Sequence, residues 1–146
     1  MKLLINNTNE ILLKTEGMEV FKGMKEMKFL VVDDAFFMRK HIGNTLNSLG
    51  YSNVEFAVDG LEAVEKAQEI QPQVITLDVS MPGMDGIEAM EKILKVSSKS
   101  KIIMISAVTS EKVIGCALQN GAIDYISKPF SRRDVESSIK KCVFTD

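Results

Sequence analysis

From Lys28 onward, short apolar runs alternate with longer segments of helical spacing. The runs are Phe29 to Val32, Val54 to Val58, Val74 to Leu77, Ile102 to Ile105 and Tyr125 to Ile126. Helical spacing follows the first four over Phe36 to Leu49, Leu61 to Ile70, Ile87 to Val96 and Glu111 to Asn120, and a fifth helix is predicted over Arg132 to Val143. The first, third and fourth runs read as continuously apolar rather than alternating, which is the pattern of strands buried on both faces. Strand-then-helix repeats predict an α/β domain built on a parallel sheet covered on both sides. Gly50, Gly121 and Ser97-Ser98-Lys99-Ser100 stand where helices should stop, and Ser131 with Asp134 three residues on resembles an N-cap arrangement.

Residues 1–27 do not follow that repeat. They carry four Lys and four Glu, and Gly17 and Gly23 interrupt any long helix. They divide from a domain over 28–146 as an N-terminal extension of unreadable role, either a bland upstream piece or a short amphipathic segment around Glu19 to Met27 that docks on the domain or on a second copy.

With 146 residues, 45% of them apolar, the chain suits one domain with a substantial core. A formal charge of −2 and a pI near 5.5 argue against coating nucleic acid or an anionic membrane. Two cysteines, Cys116 and Cys142, are too few for a disulfide scaffold and lack zinc-site clustering. Neither a bilayer-spanning run nor a secretory leader is evident, so a cytoplasmic location and no membrane insertion are expected.

Acidic residues collect at strand ends. Val32-Asp33-Asp34 closes the first run and Leu77-Asp78 the third. In an open α/β sheet, ligands bind beyond the carboxyl ends of the strands, where the strand order reverses. If the two strands are neighbours, three carboxylates converge, which is unfavourable without a cation, and hard oxygen ligands suit Mg²⁺. The competing reading has Asp33 and Asp34 merely start the following helix. Asp78 weighs against it, because the loop Ser80-Met81-Pro82-Gly83-Met84-Asp85-Gly86 intervenes before the next helix. Ser106 closes the fourth run, and Lys128 follows the fifth ahead of Pro129, where a hydroxyl and an ammonium could hold phosphoryl oxygens.

These residues resemble the response-regulator receiver family over roughly Met27 to Val143. The resemblance implies a flavodoxin-like (CheY-like) doubly wound fold with strand order 2-1-3-4-5. It implies Mg²⁺ on Asp33, Asp34, Asp78 and the Ser80 backbone carbonyl, with Asp78 as phosphoacceptor. Ser106 matches the family's Ser/Thr, Tyr125 the switch aromatic, and Lys128 the lysine that precedes a cis proline. Asp33-Asp34-Ala-Phe-Phe-Met-Arg is similar to the first loop and helix of single-domain chemotaxis regulators, and no output domain is expected after the fifth helix.

The function so implied is a two-component signalling switch rather than an enzyme acting on other molecules. Asp78 would attack a phosphohistidine of a histidine kinase (CheA-like), Lys128 and Ser106 would hold the phosphoryl oxygens, and Tyr125 would turn into space left by Ser106. The changed face formed by the fourth helix, fifth strand and fifth helix would bind a flagellar motor switch protein (FliM-like), with no nucleic-acid partner. Ser80 and Val108 occupy the positions that tune dephosphorylation, and neither is the amide or acid of fast regulators, so a separate phosphatase is expected. The alternatives are a single-domain phosphorelay carrier, an aspartyl-nucleophile phosphohydrolase, a flavodoxin-like electron carrier and an interaction module with a dead site. The haloacid-dehalogenase pattern needs an acid where Ser80 stands, a flavin phosphate would want hydroxyls and amides in the first loop, and the complete acid, hydroxyl and lysine set argues against a dead site. His41, the single histidine, reads as a surface or helix-packing residue, the nine methionines as core filler and adaptable partner surface, and both cysteines as free thiols on helices.

Overall fold

β-Branched and aliphatic runs that can bury both faces form the centre of the molecule. In the computed structural model, residues 26–144 are described, so the reading of 1–27 as an extension lies outside the described residues except at Glu26 and Met27. The strands are β1 (Phe29–Val32), β2 (Val54–Ala57), β3 (Val74–Leu77), β4 (Lys101–Ser106) and β5 (Asp124–Ser127). The helices are α1 (Phe36–Ser48), α2 (Gly60–Ile70), α3 (Gly86–Val96), α4 (Glu111–Gln119) and α5 (Arg132–Val143). All neighbouring strands pair in parallel in the order β2-β1-β3-β4-β5, as the resemblance implied. Element ends differ from the sequence expectation by a residue or two, chiefly because Gly60 and Gly86 open their helices and β4 and β5 are longer at both ends.

Alternation along the strands sorts side chains into two cores. Leu30, Val32, Ile75, Leu77, Ile102 and Met104 face α2, α3 and Ala117 of α4. Phe29, Val31, Val74, Ile103 and Ile105 face Ile42 and Leu46 of α1 and Val135 and Ile139 of α5, with Met27 packed at the margin. Each fully buried aliphatic side chain contributes about 1.5–3 kcal/mol relative to exposure, so this double-sided burial outweighs the weak local preferences of four-residue strands. Thr76 is a buried polar residue within β3, its hydroxyl lacking a partner among the described residues. β2 lies at the sheet edge and is largely exposed, which accounts for its less continuous apolar pattern.

Helix punctuation is chemical. Gly50 and Gly121 take positive φ just past α1 and α4. Ser131 and Asp134 form a full capping box on α5, while Asp59, Asp85 and Ser110 cap α2, α3 and α4. α1 differs: its N-cap is Ala35, with no side-chain cap and no acid in the first turn. Asp33 and Asp34 therefore do not serve as helix-starting residues.

Candidate functional site

Strand register brings the polar strand ends together. The Val32–Leu77 pair places Asp33 and Asp78 side by side one residue beyond β1 and β3, and Ser106 pairs with Ser127 where β4 meets β5. Lys128 is the next residue, and its amide donates to the Ser106 carbonyl at 2.9 Å. The peptide bond from Lys128 to Pro129 is cis.

Asp33 and Asp78 are buried, whereas Asp34 is exposed at the mouth. Lys128 Nζ bridges them, 2.7 Å from Asp33 Oδ2 and 2.9 Å from Asp78 Oδ2. Backbone amides hold the other oxygens: Ala35 N–H donates to Asp33 Oδ1 at 2.9 Å and Ser80 N–H to Asp78 Oδ1 at 3.1 Å. Burial raises the Asp33 carboxyl above the ordinary carboxylate range despite the opposing Lys128 contact. Burial opposes the charge of Lys128 in turn, but hydrogen bonds and charge from Asp33 and Asp78 outweigh it and raise the ammonium's pKa.

The donor set fits a hard divalent cation. One carboxylate oxygen from each of Asp33, Asp34 and Asp78 lies within 4.8 Å of the others. Among the described residues, three carboxylates against one ammonium leave the cluster formally negative, an excess that a divalent cation would offset. Ser80, named for its carbonyl, is placed at this loop with its amide already on Asp78.

Ser106 and Tyr125 are linked through the backbone of one residue. Val108 N–H donates to Ser106 Oγ at 3.1 Å, and Tyr125 Oη donates to the Val108 carbonyl at 2.5 Å. Burial raises the Tyr125 phenol, with Ser106 opposing the rise and Asp78 adding to it. The sequence points to the Val108 side chain, but its two backbone groups are what connect hydroxyl and phenol. His41 lies outside this constellation, exposed and stacked on Phe130 with ring centroids 5.0 Å apart.

Two contributors escaped sequence reasoning. Arg39 Nη1 donates to the Asp33 carbonyl at 2.8 Å, a contact no spacing rule announces. Gly86 lies so close to the main chain after β3 that an added Cβ would be 2.1 Å from the Asp78 carbonyl oxygen. The only signal for it was a glycine at the end of the loop.

The family model described as "Response regulator receiver domain" matches residues 29–140. The chemotaxis protein CheY of Treponema pallidum (strain Nichols) is 46% identical over 110 residues, 74% of this chain and 76% of that protein. The chemotaxis protein CheY of Listeria monocytogenes serovar 1/2a is 41% identical over 115 residues, 79% of this chain and 97% of that protein. Among solved structures, a CheX-CheY-BeF3-Mg+2 complex from Borrelia burgdorferi aligns with TM-score 0.77 and 34% identity, covering 82% of this chain and 90% of that one.

Proposed function

This chain belongs to the response-regulator receiver family, as a CheY-like chemotaxis response regulator, and from that premise we propose how its site works and whom it serves. The observation that carries the reading is the lysine bridge: one ammonium shared by two buried carboxylates, with the exposed Asp34 completing an oxygen cluster. Asp33, Asp34, Asp78 and the Ser80 carbonyl would hold Mg²⁺. When bound, the ion neutralises negative charge that would otherwise repel a phosphoryl dianion.

A carboxylate is a weak nucleophile, so alignment and charge neutralisation must supply the catalysis. A carboxylate oxygen of Asp78 forms the bond to phosphorus as the donor's phosphorus–nitrogen bond breaks, and the electron pair leaves with the imidazole of a histidine kinase's phosphohistidine. Ser80 N–H steadies one Asp78 oxygen. Lys128 exchanges a carboxylate contact for a phosphoryl oxygen and keeps the other. Ser106 donates its hydroxyl to a second phosphoryl oxygen. That movement alters its bond to Val108 N–H, and the Val108 carbonyl passes the change to Tyr125. The face of α4, β5 and α5 then binds its target, a flagellar motor switch protein. The chain catalyses only its own phosphorylation and dephosphorylation, acts in the cytoplasm and relies on a separate phosphatase. The Borrelia burgdorferi structure holds CheY in complex with CheX, which supports a chemotaxis protein partner for this chain. No helix among the described residues is long and apolar enough to cross a membrane.

Treatment with acetyl phosphate tests the phosphoacceptor and its ion. Intact mass should show one phosphoryl adduct on wild type with Mg²⁺, none in chelator and none on Asp78→Asn. An adduct persisting on Asp78→Asn contradicts the reading. For the target, a motor-switch peptide should bind the beryllofluoride-treated protein more tightly than the untreated one, because a ligand binding two states equally cannot report them.

A further inference from the structure

Every polar atom of Asp33 is restrained. Its N–H donates to the Ala57 carbonyl, its carboxylate oxygens accept from Ala35 N–H and Lys128, and its carbonyl accepts from Arg39. Asp34 is the opposite case, exposed and without a hydrogen-bond or ion-pair partner among the described residues. The rigid peptide plane joining it to Asp33 is therefore a main determinant of where it points. The carbonyl in that plane is the one Arg39 holds at 2.8 Å. Arg39 is itself braced, its guanidinium carbon 5.7 Å from the centroid of the Phe36 ring, within the range of cation–π attraction. α1 lacks the side-chain cap that would otherwise fix its entry, so this reach back from the first turn supplies a restraint that the other helices obtain from Asp or Ser.

We propose that Arg39 is a positioning residue for divalent-cation binding, fixing the Asp33–Asp34 peptide so that the Asp34 carboxylate faces the other two acids. The inference rests on the reading that these three acids hold Mg²⁺. It makes a prediction of unusual sign. Arg39 is a cation near a dication site, so charge alone would have its removal tighten Mg²⁺ binding. Positioning requires that its removal weaken binding.

The test is a Mg²⁺ titration of the full chain followed by backbone amide NMR shifts, with far-UV circular dichroism melts to monitor folding. Arg39→Gln should bind Mg²⁺ about tenfold more weakly, the scale of lost outer-shell support to metal ligands. Arg39→Lys should fall between the two, because a point charge lacks the planar fork that stacks and donates together. Lys40→Gln, which removes a neighbouring exposed charge that has no partner among the described residues, should bind no more weakly than wild type. Phe36→Ala removes the brace while leaving the guanidinium, and should weaken binding even if Arg39→Gln folds poorly. Unchanged or tighter binding by folded Arg39→Gln, or by Phe36→Ala where Arg39→Gln is unfolded, overturns the proposal while leaving the metal reading intact. Failure of wild type to bind Mg²⁺ overturns both.

Discussion

Replacing Lys128 by Met removes the ammonium that bridges Asp33 and Asp78 while keeping much of its volume. Its side chain is only 14% exposed and the two carboxylates still less, so their charges would be left largely desolvated and facing each other. Breaking a buried pair from one side costs about 3–5 kcal/mol, and the open side of this cluster at Asp34 favours the lower end, about 3 kcal/mol. For a domain of this size that corresponds to a fall of roughly 10 °C in melting midpoint. Urea unfolding followed by circular dichroism, in chelator at pH 7, gives the number. The pH dependence has a definite sign. Burial already raises Asp33's affinity for a proton in the folded state, so ionising it subtracts stability as pH rises through and above the ordinary carboxylate range. Removing Lys128 raises that affinity further, so the deficit should be full at neutral pH and shrink as acidification protonates the carboxyl. Saturating Mg²⁺ should narrow the gap as well, because a folded-state ligand stabilises most the form that binds it most tightly, and loss of the Lys128 ammonium leaves the acids a stronger cation site. A Lys128→Met variant as stable as wild type in chelator at pH 7 would refute the reasoning.

Gly86→Ala places a Cβ 2.1 Å from the Asp78 carbonyl oxygen, and since backbone cannot yield as a side chain can, a cost of about 3 kcal/mol and a clear loss of labelling by acetyl phosphate are expected from melts and intact mass. Burial pushes the Cys142 thiol up to about 12, whereas Cys116 is exposed, so iodoacetamide at pH 8 should modify one thiol in the native protein and both in denaturant. Val108 offers no side-chain hydrogen bond to an attacking water and Ser80 carries no side-chain amide, so Ser80→Asn with Val108→Glu should lose the phosphoryl group faster than wild type. Equal decay rates would mean that these side chains do not govern the lifetime.

Much of the fold was legible because double-sided burial writes itself into the chain. Leu30, Val31 and Val32 must be apolar on both faces, and so must Ile102 to Ile105. The acids were legible for a related reason: Asp33 and Asp78 end such runs abruptly, and parallel register then aligns them. Lys128, separated from Asp33 by 95 residues, could be assigned through family resemblance, while its bridging of both acids needed coordinates. Arg39 and Val108 show where residue types stop being informative. Arg39 acts on a backbone carbonyl, and Val108 lends an amide and a carbonyl that every ordinary residue owns. Such contacts depend on where loops pass one another, which no local pattern encodes. Asp85 escaped notice as a helix cap because it lay within an apparent loop of Pro and Gly.

The central claim is that Asp78 carries the phosphoryl group as an acyl phosphate. Borohydride reduces an aspartyl phosphate to homoserine but leaves phosphoserine and phosphothreonine unreduced, so reduction of acetyl-phosphate-treated protein followed by peptide mass mapping locates the acceptor directly. The account predicts homoserine at position 78 alone, formed only when Mg²⁺ accompanied the phosphodonor. Homoserine at position 33 or 34, or phosphate retained on Ser80 or Ser106 after reduction, would contradict it.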